Sequence, residues 1–507
     1  MGHAKRLASR RDFLKNTGRI ATVSALASMA IPNVHAAGSD TPQSDAIEKH
    51  FLEAKKKREE LRLLLEEAKN KGIDVSYPKV SWALNVLFER YIRRDLDRRE
   101  YLKADYKVNS VLDSTNKAID QIKEWIKDPS QQVRVPHISV NNLKIKDGEF
   151  CQGEEPVLLL GFVWAFPLDF VRSDFFLQSS LGFNSTEVCM GGLGLAEPDK
   201  EGELFAGWMD KLDACMKEAE RNNIGVDLIN QVASFASWVP ETFPSIFTCS
   251  GSSDLPFCLT NPRTKELFKN YLQKIIPSIK DHPNLYSYCL VNEPRYQYAG
   301  YCSCCQKAFQ DYLKGEYEDL GTLNKSWGTA YKTFREVGIP FEGRTSDSPS
   351  LSVFAYEKGA LKEKVVANQH LILKPENLAP INNASMYDWQ RFNQHRMAEF
   401  FTFMKGVVRE ADKKTAISWK SGWMTYAESG EDKGTDIEEI GRRSDVNNYD
   451  GPMSVALGGV WPSPGGNYAM NISTINGDLM KSLVPGKPIF NTEWHYGVVP
   501  VGVCEAF

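Results

Sequence analysis

Two glutamates at the ends of short β-like runs carry the chemical signal of this 507-residue chain. Asn292-Glu293-Pro294 closes the apolar run Tyr286 to Val291, and Glu493 sits in Pro488-Ile489-Phe490-Asn491-Thr492-Glu493-Trp494. In a (β/α)8 TIM barrel the C-terminal strand ends meet on one face, and that face carries the active site. Two carboxyls meeting there about 5–5.5 Å apart would suit a retaining double displacement on a glycosidic bond. Glu293 would protonate the leaving oxygen and later deprotonate water, while Glu493 would attack the anomeric carbon. Asn292 is suited to hydrogen-bond the sugar 2-hydroxyl, a contact that strengthens in an oxocarbenium-like transition state. Taken alone, Asn-Glu-Pro also reads as a strand-end turn, since Asn and Pro both favour turns.

The elements that must position this pair follow a strand–helix alternation, which argues a parallel α/β architecture. Pro156 to Gly161 is a buried-strand pattern, followed by a helix-like Ser173 to Leu181 and a strand at Ser185 to Met190. An amphipathic helix at Trp208 to Arg221 leads to a strand at Ile224 to Ile229. A helix at Thr264 to Ile279 then precedes the strand Leu285 to Val291, the fourth in the count. Between Tyr301 and Tyr387 lies more chain than one crossover helix needs, with helical patterns at Lys307–Lys314 and Asp319–Arg335 and a polar stretch at Gly343–Ser352. A long helix at Gln390–Asp412 and strands at Thr415–Trp419, Asp445–Tyr449 and Lys487–Thr492 complete seven strands. Glu493 would then end strand seven. Tyr449, ending strand six, is placed either to orient Glu493 through its phenol or to pack in the core. Trp389, Trp461, Trp494 and His495 either line sugar sites or pack near them.

Upstream, Asp45–Lys71, Trp82–Tyr101 and Val108–Lys127 read as three helices, the first with an apolar stripe at Leu61, Leu64, Leu65 and Ala68. Their charge runs are solvated faces and carry no chemistry. The first residues read as an export signal. Ser9-Arg10-Arg11-Asp12-Phe13-Leu14-Lys15 matches the twin-arginine pattern, Ile20 to Ile31 is weakly apolar, and Val34-His35-Ala36 offers the small residues of a cleavage site. The apolar run falls short of the ~18–20 residues that span a bilayer, and Pro32 interrupts it. The expected destination is the periplasm or the medium, reached already folded.

Composition excludes other classes. A net charge of −4 and a pI near 6.2 give no footing for nucleic acid or an anionic membrane. No His-Glu-x-x-His, Gly-x-Ser-x-Gly or phosphate-loop motif is present, which ranks other exported hydrolases low. The 11 Trp and 19 Tyr suit platforms for sugar rings but serve cores as readily.

After strand four the order of residues resembles glycoside hydrolase family 42, a family of β-galactosidases in the retaining barrel clan. Tyr301-Cys302-Ser303-Cys304-Cys305, then Leu323-Asn324-Lys325-Ser326-Trp327-Gly328, Ile339-Pro340 and Gln390-Arg391-Phe392-Asn393 carry the resemblance, which spans about residues 156–500. It implies a β-galactoside-like oligo- or polysaccharide substrate and no cofactor for catalysis. It also implies a structural zinc site from Cys302 and Cys305, completed by Cys258 or Cys249. In an oxidising compartment the same cysteines could instead form disulfides, with Cys249 and Cys258 as a natural pair.

The expected organisation is an export signal over 1–36, a helical region over 37–136 and a barrel domain over 137–507. After Glu493 a barrel still owes a helix and a further βα unit, ~50 residues at about 30 per unit. The expectation is therefore a C-terminally truncated barrel, with a carbohydrate-binding pseudo-enzyme or inactive fragment as the alternative to a working glycosidase.

Overall fold

A computed structural model describes residues 41–165, 172–190, 204–230, 234–236, 238–247, 257–294, 302–340, 350–357, 360–367, 378–421, 434–451 and 477–494. The export-signal residues lie outside these.

Three helices open the described chain: α1 (Thr41–Asn70), α2 (Ser76–Asp97) and α3 (Tyr101–Lys127). Apolar residues at three- and four-residue spacing give each helix one buried stripe. The stripes meet in two clusters, one around Phe51, Ile92 and Val108, the other around Leu61, Ile122 and Trp125. Helix α2 starts before the Trp82 expected from its pattern, because Pro78 falls in its first turn, where a missing N–H costs nothing. Trp82 reaches the next unit edge-on to Phe176, ring centroids 5.9 Å apart.

The central element is a seven-stranded, all-parallel sheet: β1 (Gly161–Ala165), β2 (Ser185–Cys189), β3 (Gly225–Ile229), β4 (Leu285–Asn292), β5 (Ala416–Ser421), β6 (Val446–Gly451) and β7 (Ile489–Trp494). They lie side by side in chain order. Helices α4 (Arg172–Ser180), α5 (Leu204–Arg221) and α6 (Pro262–Ile279) follow β1, β2 and β3. Helices α7 (Ser303–Glu316), α8 (Leu320–Trp327) and α9 (Asn383–Ala411) follow β4, and α10 (Ile437–Arg443) follows β5.

Two side-chain contacts require the sheet to curl. The Lys420 ammonium on β5 lies 3.2 Å from a Glu187 carboxylate oxygen on β2, and the Asn448 amide on β6 donates to Asp227 on β3 at 3.2 Å. Each contact joins strands three apart, which a flat sheet would hold about 14 Å from one another. The sheet is thus a partial barrel with Glu187, Asp227, Lys420 and Asn448 inside it. The alternate residues Val226, Leu228, Ile417 and Trp419 face outward and pack on Phe268, Phe400 and Met404 of α6 and α9. Among the described residues β1 and β7 remain the sheet edges, and no eighth strand is seen.

The first strand lies later than its apolar pattern indicates, over Gly161–Ala165 rather than Pro156–Gly161. Val157 and Leu159 are buried while Leu158 is 71% exposed, so this run is half-solvated and belongs to another layer. That layer is a meander of antiparallel strands, Lys144–Lys146, Glu149–Gln152 and Glu155–Pro156. Val140, Phe150, Val157 and Leu159 pack on Tyr286, Ala416 and Val446 at the N-terminal ends of β4, β5 and β6, closing the floor of the barrel. Gly161 starts β1 because a Cβ there would lie 2.1 Å from the Ser185 carbonyl oxygen.

The excursion after β4 also differs from its sequence pattern. A hairpin of Ser350–Glu357 and Ala360–Ala367 occupies part of the stretch left unassigned, and it pairs in parallel with Ser234–Ala236 from the loop after β3. Helix α8 ends at Trp327, well short of Arg335, because Gly328 takes a left-handed C-cap.

Phe268 is fully buried, edge-on to Phe257 and Phe400 with ring centroids 5.2 and 5.3 Å away. Phe268→Ala is expected to lower unfolding free energy by about 3–5 kcal/mol, read as a lower urea midpoint at unchanged slope.

Candidate active site at the C-terminal strand ends

Glu293 stands directly after β4, half-buried, with φ +40°. A β-carbon makes this region unfavourable, and such strain is found where surrounding structure holds a residue for use. What holds it is a backbone bond: Glu293 N–H donates to the Lys420 carbonyl at 2.8 Å. Asn292 pairs in register with the same Lys420, beyond a bulge in β4. The Asn292 side-chain oxygen is buried with no hydrogen-bond partner among the described residues, and so is that of Asn230 just after β3. The Asn292 acceptor at this end of the barrel fits a hydroxyl group of a ligand, whereas Asn230 is turned to the helix layer, its amide 4.0 Å from the Met404 sulfur of α9.

Glu493 lies inside β7 rather than just beyond it, and its Cα is in register with Asp450 of β6. Glu293 and Glu493 thus occupy the same end of the sheet, on β4 and β7. Trp494 is in register with Gly451. Trp461, His495 and Cys249 lie outside the described residues. Tyr449 faces the helix layer, its hydroxyl beside Gly477, in the core that contains Met480. Its neighbours Asn448 and Asp450 take the opposite, inward side, as strand alternation requires. Trp389 is 3% exposed, packed against Phe309 and Phe392 at ring-centroid distances of 5.0 and 5.5 Å. Tyr449 and Trp389 thus each lie in an aromatic or apolar core.

Below the strand ends lies a polar interior that motif reading missed. The Lys420 ammonium is wholly buried, 3.2 Å from Glu187 and 3.6 Å from Asp450. Beneath it, Asp227 accepts from the Ser287 hydroxyl and the Asn448 amide, and Asn448 also donates to Ser418 at 3.1 Å. Burial pushes the Asp227 carboxyl up to about 6, against the opposing pull of the Ser287 hydrogen bond and the Lys420 charge. Burial likewise raises the Cys289 thiol and the Tyr286 phenol well above their ordinary values. The signal was present as a single charge at an inward position of an otherwise uncharged strand: Glu187, Asp227 and Lys420 each break such a run.

Close to this end, α7 begins with Cys302 as its N-cap. The Cys258, Cys302 and Cys305 sulfurs converge at 3.4–3.5 Å from one another, all buried. These separations are too long for disulfides and close to the ~3.8 Å sulfur spacing of a tetrahedral thiolate site with metal–sulfur bonds of about 2.3 Å. The triad can therefore hold a metal ion. The Arg396 guanidinium donates to Cys305 at 3.2 Å and the Thr260 hydroxyl lies 3.1 Å from the same sulfur, both favouring thiolate over thiol. Cys304 stands beside the triad, its thiol raised by burial and by the neighbouring sulfurs.

The model of glycoside hydrolase family 42, described as beta-galactosidase, matches residues 166–500. The chain belongs to glycoside hydrolase family 42. It is 28% identical over 191 residues to the beta-galactosidase LacZ of Heyndrickxia coagulans, covering 35% of this chain and 28% of that protein. It is 24% identical over 295 residues to the beta-galactosidase BgaA of Planococcus sp. (strain 'SOS Orange'), covering 56% and 37%. The fold is similar to the apo exo-carrageenase of family 42 from Bacteroides ovatus, with a TM-score of 0.63 at 18% identity over 89% of this chain and 60% of that one. The chain thus spans well under two thirds of the curated family members it matches, and the match starts beyond α1–α3. No helix among the described residues is long and apolar enough to cross a membrane.

Asp227 supplies a pH test of the interior. Its folded carboxyl keeps its proton up to about pH 6, whereas an unfolded one releases it near 3.8. Its contribution is full below the unfolded value and is lost as pH rises through about 6, by about 3 kcal/mol. Urea midpoints from pH 4 to 7 should therefore fall less steeply for Asp227→Asn than for the wild type.

Proposed function

We propose that the protein hydrolyses β-linked, galactoside-like oligo- or polysaccharides with retention of configuration. Family membership carries the reading, supported by the strained Glu293, anchored to β5, on the same sheet end as Glu493. Glu293 is the acid/base and Glu493 the nucleophile, and Asn292 accepts from the sugar 2-hydroxyl. Family members named for β-galactosides and a neighbour named for carrageenan support a galactoside-type substrate. The reading extends to export through the twin-arginine signal.

A structural zinc belongs to the same reading. Cys258, Cys302 and Cys305 would hold it, with Cys249 as the fourth thiolate. When bound, it supplies a crosslink between the loop before α6 and the start of α7, and no step of catalysis. Metal analysis of the purified protein should find about one zinc per chain, lost in Cys302→Ser together with a lower melting temperature. Metal-free wild type with unchanged melting would remove the zinc from this account.

The catalytic assignment is tested with aryl β-galactosides and carrageenan oligosaccharides. Glu293→Gln and Glu493→Gln should each lower kcat by at least about 100-fold. Azide should partly restore turnover to Glu493→Gly, with an inverted glycosyl azide as product. Both glutamine variants turning over like wild type would sink the assignment. Sugar binding without wild-type turnover would instead identify a binding protein.

A further inference from the structure

A fully buried ammonium between two carboxylates is a poor device for stability alone, since apolar replacement of such networks is often neutral or stabilising. It more often marks a place where charge is needed. Lys420 has two connections to the catalytic end. Its carbonyl accepts from Glu293 N–H at 2.8 Å, holding the residue at φ +40°. Its ammonium lies 3.6 Å from Asp450, the residue in register with Glu493. Glu187 anchors the ammonium from the opposite wall at 3.2 Å.

We propose that Lys420 is a positioning residue for both catalytic glutamates, its backbone setting the β4 glutamate and its ammonium holding the Asp450 carboxylate on the strand beside the β7 glutamate. The proposal rests on the assignment of Glu293 and Glu493. Among the described residues, the titratable groups facing the ammonium are Glu187 of β2, Asp227 of β3, Cys289 of β4 and Asp450 of β6. Even with Asp227 protonated, Glu187 and Asp450 outnumber the single cation, so the interior beside the site is anionic, and Lys420 limits how anionic it becomes. Removing the cation makes both catalytic carboxyls harder to ionise. Removing Asp450 does the reverse. A residue that only ties strands together would move neither.

The test is the pH–rate profile of kcat/KM on an aryl glycoside that the wild type hydrolyses, beside melting curves. Lys420→Gln should lower kcat about 100-fold with KM within threefold. It should also move both limbs of the profile upward by about 1 pH unit, the shift that one charge produces across roughly 10 Å. Asp450→Asn should move both limbs downward. The double variant should bring the limbs back toward wild type while kcat stays low. A folded Lys420→Gln with an unmoved profile and wild-type kcat overturns the proposal. If that variant does not fold, Asp450→Asn decides alone, and unmoved limbs there overturn it. Wild type without turnover on any glycoside removes the catalytic assignment and this proposal together, an outcome distinct from an active enzyme with indifferent variants.

Discussion

The buried contact between Lys420 and Glu187 is the constraint on which the rest of this structure depends. It joins strands that a flat sheet would keep far apart, so it exists only if the sheet curls. Curling gathers the C-terminal ends of β3, β4, β5 and β6 around one interior and brings Glu293 and Asp450 to the two sides of one lysine. The Asn448–Asp227 bond repeats the same closure one layer lower. Ionic and amide pairs in this position are costly unless satisfied, so the interior tolerates little change in curvature.

Polarity is graded along the barrel axis. At the N-terminal ends, Phe150, Val157 and Leu159 from the meander meet Tyr286, Ala416 and Val446, an apolar floor that excludes water. Asp227, Ser287, Ser418 and Asn448 form the middle, and Glu187, Lys420 and Asp450 lie above them. The outward-facing Val226, Leu228, Ile417 and Trp419 are apolar and pack on α6 and α9, and the outward Asn447 accepts from the Trp419 indole N–H. Each strand thus presents a dry face to its helices and a graded one to the interior. That division places ionisable side chains near the strand ends without unpaired charge in the helix-packing core.

The excursion between β4 and β5 has a core of its own, where Phe309, Trp327, Trp389 and Phe392 pack α7 and α8 against the start of α9. Arg396 lies over the Trp389 and Phe392 rings, its guanidinium carbon 5.4 and 5.0 Å from their centroids, and donates to Cys305. The thiol triad and this aromatic core therefore share one cation. Through that link the loop carrying Cys258 and the helix opened by Cys302 are tied to α9, which packs on β4. The chain leaving Glu293 is braced again nine residues later, at Cys302.

Much of this was legible because it is local. Short apolar runs mark β2 to β7 to within a few residues, three- and four-residue stripes mark α5, α6 and α9, and strand ends locate Glu293 and Glu493. The first strand was misplaced because Val157 and Leu159 are apolar for the floor, and period alone does not say which layer a residue joins. The hairpin at Ser350–Ala367 was missed because part of its pairing is with Ser234–Ala236, far away in the chain. Alternation along β6 dictated that Tyr449 and Asp450 point apart, but only the pairing of β6 with its neighbours decided which of them faces inward. By itself, the sequence determined the elements, their order and the family-like run after strand four, since these depend on neighbours along the chain. The tertiary structure alone decided the curl and the Lys420 network, and among the described residues it put Cys258 beside the Cys302 and Cys305 that the family-like run had indicated. Those contacts join residues far apart in the chain, whose proximity no local spacing records.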